Sequence, residues 1–229
     1  MTSGHFDVLI VGAGISGISA AVHLKLHSPG KTFAILEGRE ALGGTWHLFR
    51  YPGIRSDSDM HTLGFTFKPW TEAKSIADGP SILKYMNETA DEYGLRPHLH
   101  LNRLVTKASW SSRDARWTLT VTDRQSGATE SWSCNVLYMG SGYYSYKKGY
   151  TPEFPGFADF KGKVIHPQFW PEGFDYSGKK VVVIGSNNSA HDICAALWEA
   201  GADVTMLQRS STHIVRSDTL MDIGLGDLY

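Results

Sequence analysis

The sequence predicts an α/β protein built from two successive β-α-β units, the first carrying an antiparallel meander. Three observations predict it. Short apolar runs ending in glycine stand at residues 6–11 and 180–184, and each reads as a buried parallel strand. Each run is followed by a Gly- or Asn-rich turn and then by apolar residues at helical spacing. Between them, residues 104–110, 117–122 and 131–139 alternate in the manner of strands.

The elements follow in order. After the first run, Ile15, Ile18, Val22 and Leu26 recur at helical spacing, and Ser28-Pro29-Gly30 stops that helix. Residues 32–36 form a second buried strand closed by Glu37, which completes β-α-β in about thirty residues. Residues 43–70 are Gly- and aromatic-rich with weak periodicity and read as loop with short turns. Pro80 opens a helix whose apolar positions are Ile82, Leu83, Tyr85 and Met86, and Gly94 ends it. Polar turns at 111–114 and 124–127 join the three alternating strands. Residues 140–155 are rich in Gly, Ser, Tyr and Pro, and mark a boundary between domains 1–144 and 145–229. In the second domain, the run 180–184 leads into a helix with Ile193 and Leu197 on its inner face and Gly201 as its stop. The next strand is 204–207. The tyrosines at 143, 144, 146 and 150 read as packing at the domain joint.

Bulk properties narrow the classes of function. A chain of 229 residues can bury one large core or two smaller ones. A net charge of -1 gives no reason to expect nucleic acid or an anionic membrane as partner. Cys134 and Cys194 are far apart, which argues against a disulfide framework and a zinc ribbon, and no metal site is expected. No stretch approaches the roughly 20 apolar residues of a membrane span, and the N-terminus lacks a basic leader, so a cytoplasmic setting is expected.

Gly12-Ala13-Gly14-Ile15-Ser16-Gly17 is a GxGxxG turn between a strand and a helix. Gly12 permits the tight turn, Gly14 lets a pyrophosphate approach the helix N-terminus, and Gly17 lets helix and strand pack closely. Glu37, at the end of the next strand, can accept from ribose hydroxyls and would repel a 2′-phosphate. This is a Rossmann-like dinucleotide site.

Gly185-Ser186-Asn187-Asn188-Ser189-Ala190 holds the same place in the second unit. Asn187 stands where the second glycine belongs; asparagine tolerates left-handed backbone, though its side chain crowds a pyrophosphate. The next strand ends at Arg209-Ser210 with no acid, and an arginine there suits the 2′-phosphate of NADPH.

Two longer patterns carry a family resemblance. Gly44, Trp46, Tyr51, Pro52, Gly53 and Asp57 fit GxWx4[F/Y]P[G/M]x3D, and Phe160, Gly162, His166, Trp170 and Pro171 fit FxGx3Hx3W followed by Pro. The chain resembles the class B flavoprotein monooxygenases, and within them the type I Baeyer–Villiger monooxygenases, where Trp-Pro ends the second pattern. From about residue 178, the stretch containing GSNNSAHDICAAL looks more like another branch of flavin monooxygenases. Family members run to about twice this length, so the resemblance implies an N-terminal half, with the second unit truncated at Leu228-Tyr229.

The resemblance implies FAD in the first unit and NADPH in the second. It places FAD contacts at Ser16, Glu37, Thr45, Trp46, His47, Leu48, Asp57 and Val105, and NADPH contacts at Arg55 and Ser56. Gly44 opens the turn before Thr45; Trp46 either walls the flavin ring or fills core. Asp57 would orient an arginine that lies later in family members, so that its cation stabilises a negative C4a-peroxyflavin; otherwise Asp57 caps a turn within residues 56–59. His166 reads as a linker histidine that couples domain motion or satisfies a backbone carbonyl, rather than as a general base. The implied reaction takes one oxygen atom from O2 to a ketone, or onto sulfur or nitrogen of a thioether or amine. The alternatives are a flavin-containing N/S-monooxygenase and a non-catalytic nucleotide-binding fragment. A disulfide reductase would need a close cysteine pair.

Overall fold

The structure, a computed structural model, describes residues 2–214; the expected chain end at Leu228-Tyr229 lies outside them. The chain divides into two compact units, one comprising residues 1–47 and 83–144, the other residues 48–82 and those from 145 onward. The boundary expected after residue 144 therefore has a second part: the segment 48–82 groups with the later residues, not with the first nucleotide turn.

The first unit holds a six-stranded sheet. Strand β1 (Thr2–Val11) leads into helix α1 (Ile15–His27) and strand β2 (Phe33–Leu36), as the periodicity predicts. Leu9, Ile10 and all four residues of β2 are buried, as expected for strands covered on both faces. Strands β4 (Arg103–Ser111), β5 (Arg116–Asp123) and β6 (Thr129–Met139) form the antiparallel meander. Two features go beyond the periodicity. A two-residue strand β3 (Leu99–His100) adds parallel to β2, too short to leave a pattern. Strand β6 also pairs in parallel with β1, from Thr2 with Ser131 to Val11 with Met139, and so fuses the meander to the parallel sheet. The order is β3-β2-β1-β6-β5-β4. Its direction of winding reverses between β1 and β6, and in open α/β sheets the crevice at such a reversal is where ligands bind.

The loop at 43–70 contains two single-turn helices, α2 (Thr45–Leu48) and α3 (Met60–Leu63). Helix α4 (Gly79–Glu92) begins one residue before Pro80, and Asp78 accepts from the Ser81 N–H at 2.8 Å to cap it. Its Ile82, Tyr85 and Met86 are buried.

In the second unit, β7 (Lys180–Ile184), α5 (Asn188–Glu199) and β8 (Asp203–Leu207) form a β-α-β with a parallel two-stranded sheet. Gly201, at φ +86°, turns the chain out of α5 as expected. The expectation of buried strands is corrected here. Val181, Val183 and Val204 pack with Ile193 and Leu197 of α5, while Val182, Ile184 and Leu207 are exposed. One helix covers one face only, and strand side chains alternate between faces. Of the tyrosine cluster, Tyr143 and Tyr150 are almost fully exposed rather than packed, and the rings of Tyr143 and Tyr144 lie with centroids 4.5 Å apart.

Candidate functional site

Two cradles share one plan. In the first unit, the Gly12 N–H donates to the Leu36 carbonyl at 2.8 Å, tying the turn after β1 to the end of β2. In the second, the Gly185 N–H donates to the Leu207 carbonyl at 2.9 Å. Both glycines have positive φ, +100° and +138°, which strongly favours glycine.

The first cradle is built from close backbone contacts. A Cβ on Gly17 would overlap the Gly12 carbonyl oxygen, so α1 lies against its own turn only because residue 17 has no side chain. Gly140, at the end of β6, donates to the Val11 carbonyl at 2.8 Å, and a Cβ on Gly12 would overlap the Gly140 carbonyl. Gly140 is thus a further glycine of the site; its position in a Gly/Ser/Tyr-rich stretch reads in sequence only as a boundary. Gly14 caps α1 with no side-chain hydrogen bond, which leaves the first N–H groups of α1 open to an anion. Ser16 is exposed on this first turn.

Glu37 sits where the sequence places it. Its carboxylate is buried and accepts from the Ala13 N–H at 2.8 Å and the Arg39 N–H at 2.9 Å. Its backbone is held on both sides, by the His100 carbonyl and the Arg103 N–H. Each carboxylate oxygen keeps a lone pair for a ribose hydroxyl. Gly43 donates to the Ala13 carbonyl at 3.0 Å, which lays the Gly43-Gly44 turn and the start of α2 beside the fingerprint loop. Thr45, Trp46, His47 and Leu48 are all half-buried, so Trp46 is not a core residue. Val105 packs at the edge of the sheet core. The open helix end, the pinned carboxylate and the glycine-lined crevice fit a dinucleotide.

The second cradle differs at its helix. Asn187 has φ -91°, so it does not use the left-handed backbone that its presence suggested. It is the N-cap residue of α5, and its side chain accepts from the Asn188 N–H, the first of the helix, at 3.0 Å. The residue directly after β8, the counterpart of Glu37, is Gln208, with exposed Arg209 and Ser210 following. The Ser186 hydroxyl donates to the Ser210 carbonyl at 3.2 Å and accepts from Thr212 at 2.8 Å, which joins the turn to the Arg209 loop. Neither Gln208 nor Thr212 stands out in the sequence. Ser189 is half-buried and Ala190 buried on the first turn of α5.

The Tyr51–Asp57 segment docks along α5, and this accounts for its spacing. The Ser189 hydroxyl donates to the Tyr51 oxygen at 3.0 Å. Arg55 Nε donates to Asp192 Oδ1 at 3.0 Å, and the Asn188 amide donates to Asp57 Oδ2. A Cβ on Gly53 would lie 2.6 Å from the Asp192 carbonyl and 3.1 Å from Ala196 Cβ. Burial pushes the Asp192 carboxyl up, with Arg55 opposing, and burial likewise pushes the Tyr51 phenol up. Gly53, at φ +79°, combines a left-handed backbone with this close approach. Gly53→Ala is therefore expected to destabilise the second unit by about 1–3 kcal/mol. Thermal unfolding checks this, and an unchanged midpoint would show that the segment is not docked.

The acids at 57 and 59 have separate roles. Asp59 caps α3, accepting from the Thr62 N–H at 3.0 Å, whereas Asp57 is exposed and bonded to Asn188. Arg55 is exposed apart from its Asp192 bond. Ser56 is buried, and its hydroxyl accepts from the Ala77 N–H at 3.1 Å. His166 is corrected in detail. Its Nδ1 accepts from the Gln168 N–H at 3.1 Å, so it caps a short 3-10 turn instead of satisfying a carbonyl. Cys134 and Cys194 are both free, and burial raises both thiols, the reverse of an activated redox pair.

Residues 9–223 match the family described as pyridine nucleotide-disulphide oxidoreductase. The FAD-containing monooxygenase EthA of Mycolicibacterium smegmatis is 58% identical over 211 residues, covering 92% of this chain and 42% of that protein. Among solved structures, an oxidized steroid monooxygenase bound to NADP matches with TM-score 0.79 and 30% identity over 93% of this chain and 40% of that one. A complex of OTEMO with FAD and NADP matches with TM-score 0.74 and 30% identity over 89% of this chain and 39% of that one. The chain thus spans less than half the length of these relatives. With two β-α-β cradles, both gapped motifs and a family match over nearly all its length, the chain belongs to the pyridine nucleotide-disulphide oxidoreductase family and, within it, resembles the class B flavin monooxygenases.

Proposed function

We propose that the chain is the FAD- and NADPH-binding part of a monooxygenase that takes one oxygen atom from O2 to a small ketone. The observation that carries this reading is the pairing of two cradles with matching Gly–Leu hydrogen bonds but opposite chemistry after the second strand: Glu37 in one, Gln208-Arg209 in the other. The first cradle takes FAD: Glu37 holds the ribose, the open start of α1 with Gly12, Gly14, Ser16 and Gly17 takes the pyrophosphate, and Gly44, Thr45, Trp46, His47, Leu48 and Val105 line the remainder. The second takes NADPH: the residues from Gly185 to Ala190 hold the pyrophosphate side and Arg209-Ser210 the 2′-phosphate. Arg55 adds a cation on the α5 face. NADPH supplies hydride and the flavin supplies the oxygen-activating chemistry. The protein positions both and keeps a carboxylate, Asp57, fixed to orient a cation. Oxygen transfer to sulfur or nitrogen is the second reading, favoured by the likeness of the α5 region to another branch of flavin monooxygenases.

The reading is tested by the visible spectrum and by cofactor choice. The purified chain is expected to carry FAD and to be bleached by NADPH, and ¹⁸O2 is expected to label one product oxygen of the monooxygenase of which it is part. Arg209→Ala is expected to lose about 1.5–3 kcal/mol of NADPH binding, the worth of a charge-assisted contact, with NADH little affected. Equal loss for both nucleotides would assign Arg209 to the fold alone.

A further inference from the structure

We propose that His23 and His27 form a site for one divalent transition-metal ion on the outer face of α1. The two residues stand four apart in this 13-residue helix and both are exposed, while Gly17, Ile18, Ala21 and Val22 supply its buried face. Of the ten histidines in the chain, no other two are four apart. On a helix that spacing brings two side chains onto one face, and it is the spacing with which paired histidines reach one zinc ion. The two side chains already lie together, with ring centroids 5.5 Å apart and planes 21° from parallel.

This separation suits a shared ion. With a zinc–nitrogen bond of about 2.0–2.1 Å and a tetrahedral angle, two imidazoles on one ion have their ring centroids about 5 Å apart. Rotation about each Cβ–Cγ bond, a soft torsion in histidine, swings the ring nitrogens toward the ion and leaves the centroids nearly in place. The backbone of α1 need not move. The surroundings also favour a cation. His27 lies in the last turn of α1, where the helix presents partial negative charge. Both rings border a groove that is also lined by Asp7 and Asn135. Asp7 accepts from the Thr32 N–H at 2.9 Å, the Thr32 hydroxyl at 3.0 Å and Lys31 at 3.2 Å, and these bonds hold its carboxyl well below the usual carboxylate range. Lys31, the lysine bordering the same groove, is thereby paired. Neutral imidazole suits Zn²⁺, Ni²⁺ and Cu²⁺, whereas Mg²⁺ takes oxygen ligands. Among the described residues no three His, Cys, Asp or Glu side chains are grouped to hold one ion, so water completes the coordination and the ion is exchangeable. The expectation of no metal site does not weigh this pair, which contains no cysteine. A bound ion would fasten the last two turns of α1.

The test is calorimetric titration of the 229-residue chain with Zn²⁺, and its outcome does not depend on the nucleotide readings. One zinc ion is expected to bind, and Mg²⁺ at the same concentrations is expected not to compete. His23→Ala and His27→Ala are each expected to weaken that zinc at least tenfold, because either leaves a single imidazole. Both sites are exposed and alanine is a strong helix former, so both variants are expected to melt within a degree or two of the parent without metal. With zinc a hundredfold above its dissociation constant, the parent is expected to melt about 5–10 °C higher, and neither variant is expected to show the rise. His23→Gln and His27→Gln, which keep a polar side chain on the exposed face, are expected to show the same losses. His5→Ala, on strand β1, is expected to bind zinc as the parent does. Absence of zinc binding, binding that survives loss of either His23 or His27, or equal competition by Mg²⁺ would each overturn the proposal.

Discussion

Gly17→Ala is expected to strip the first cradle of FAD. The added Cβ would overlap the Gly12 carbonyl oxygen and lie 3.0 Å from its carbon, and both atoms are backbone in the turn that holds the ligand. Neither can rotate aside, so α1 must lift from β1 or the turn must open. Overpacking of this kind costs about 1–3 kcal/mol, and all of it falls on the pyrophosphate seat, which corresponds to about a 5- to 150-fold loss of FAD affinity. Flavin-to-protein absorbance of the purified variant reads this directly. Gly30→Ala is the control, because a Cβ there meets nothing within 4 Å. Full flavin content in Gly17→Ala would mean that the Gly12–Gly17 approach is not needed for binding.

Glu37→Gln is expected to have two separable effects. Glu37 is buried, and both carboxylate oxygens accept backbone N–H groups, from Ala13 and Arg39. An amide side chain can accept at its oxygen only, so one of those N–H groups loses its acceptor and faces an NH2, at a cost of about 1–3 kcal/mol. That term lowers the melting temperature with or without cofactor. The second effect is loss of a charged acceptor for the ribose, again about 1.5–3 kcal/mol, and appears only in FAD affinity. Glu37→Arg should be worse on both counts because it places a cation in the same buried position. Fluorescence titration with FAD, set against apoprotein melting, separates the two. A variant with weakened melting and normal FAD affinity would leave Glu37 a structural residue.

Much of the first cradle was legible in the sequence because its parts are local. The distance along the chain from Gly12 to Glu37 is short, and the strand, turn, helix and strand each carry their own pattern. Gly140 was not legible as a site residue. It reaches Gly12 and Gly17 only because β6 pairs in parallel with β1, a long-range pairing that no local pattern encodes. Strand β3 escaped for a related reason: two residues are too few to show a period. At the second cradle, Asn187 suggested a strained turn, yet its backbone is extended and its side chain caps α5. Residue type alone cannot distinguish tolerance of left-handed backbone from a preference for capping, since asparagine has both.

By itself the sequence determined the α/β class, the two β-α-β units, the helix stops and the acid and arginine that follow the two glycine turns. These rest on side-chain periodicity, backbone-restricted residues and short spacing, all of which act within a few turns of chain. Only the tertiary structure decided what the Tyr51–Asp57 motif packs against. Tyr51, Gly53, Arg55 and Asp57 meet Ser189, Asp192, Ala196 and Asn188 across more than 130 residues of chain, and they match one helix at spacings of three to four. That match is a property of two surfaces packed together. It becomes visible only when α5 lies against the loop, because hydrogen bonding and close backbone approach depend on distance in space, not on separation along the chain.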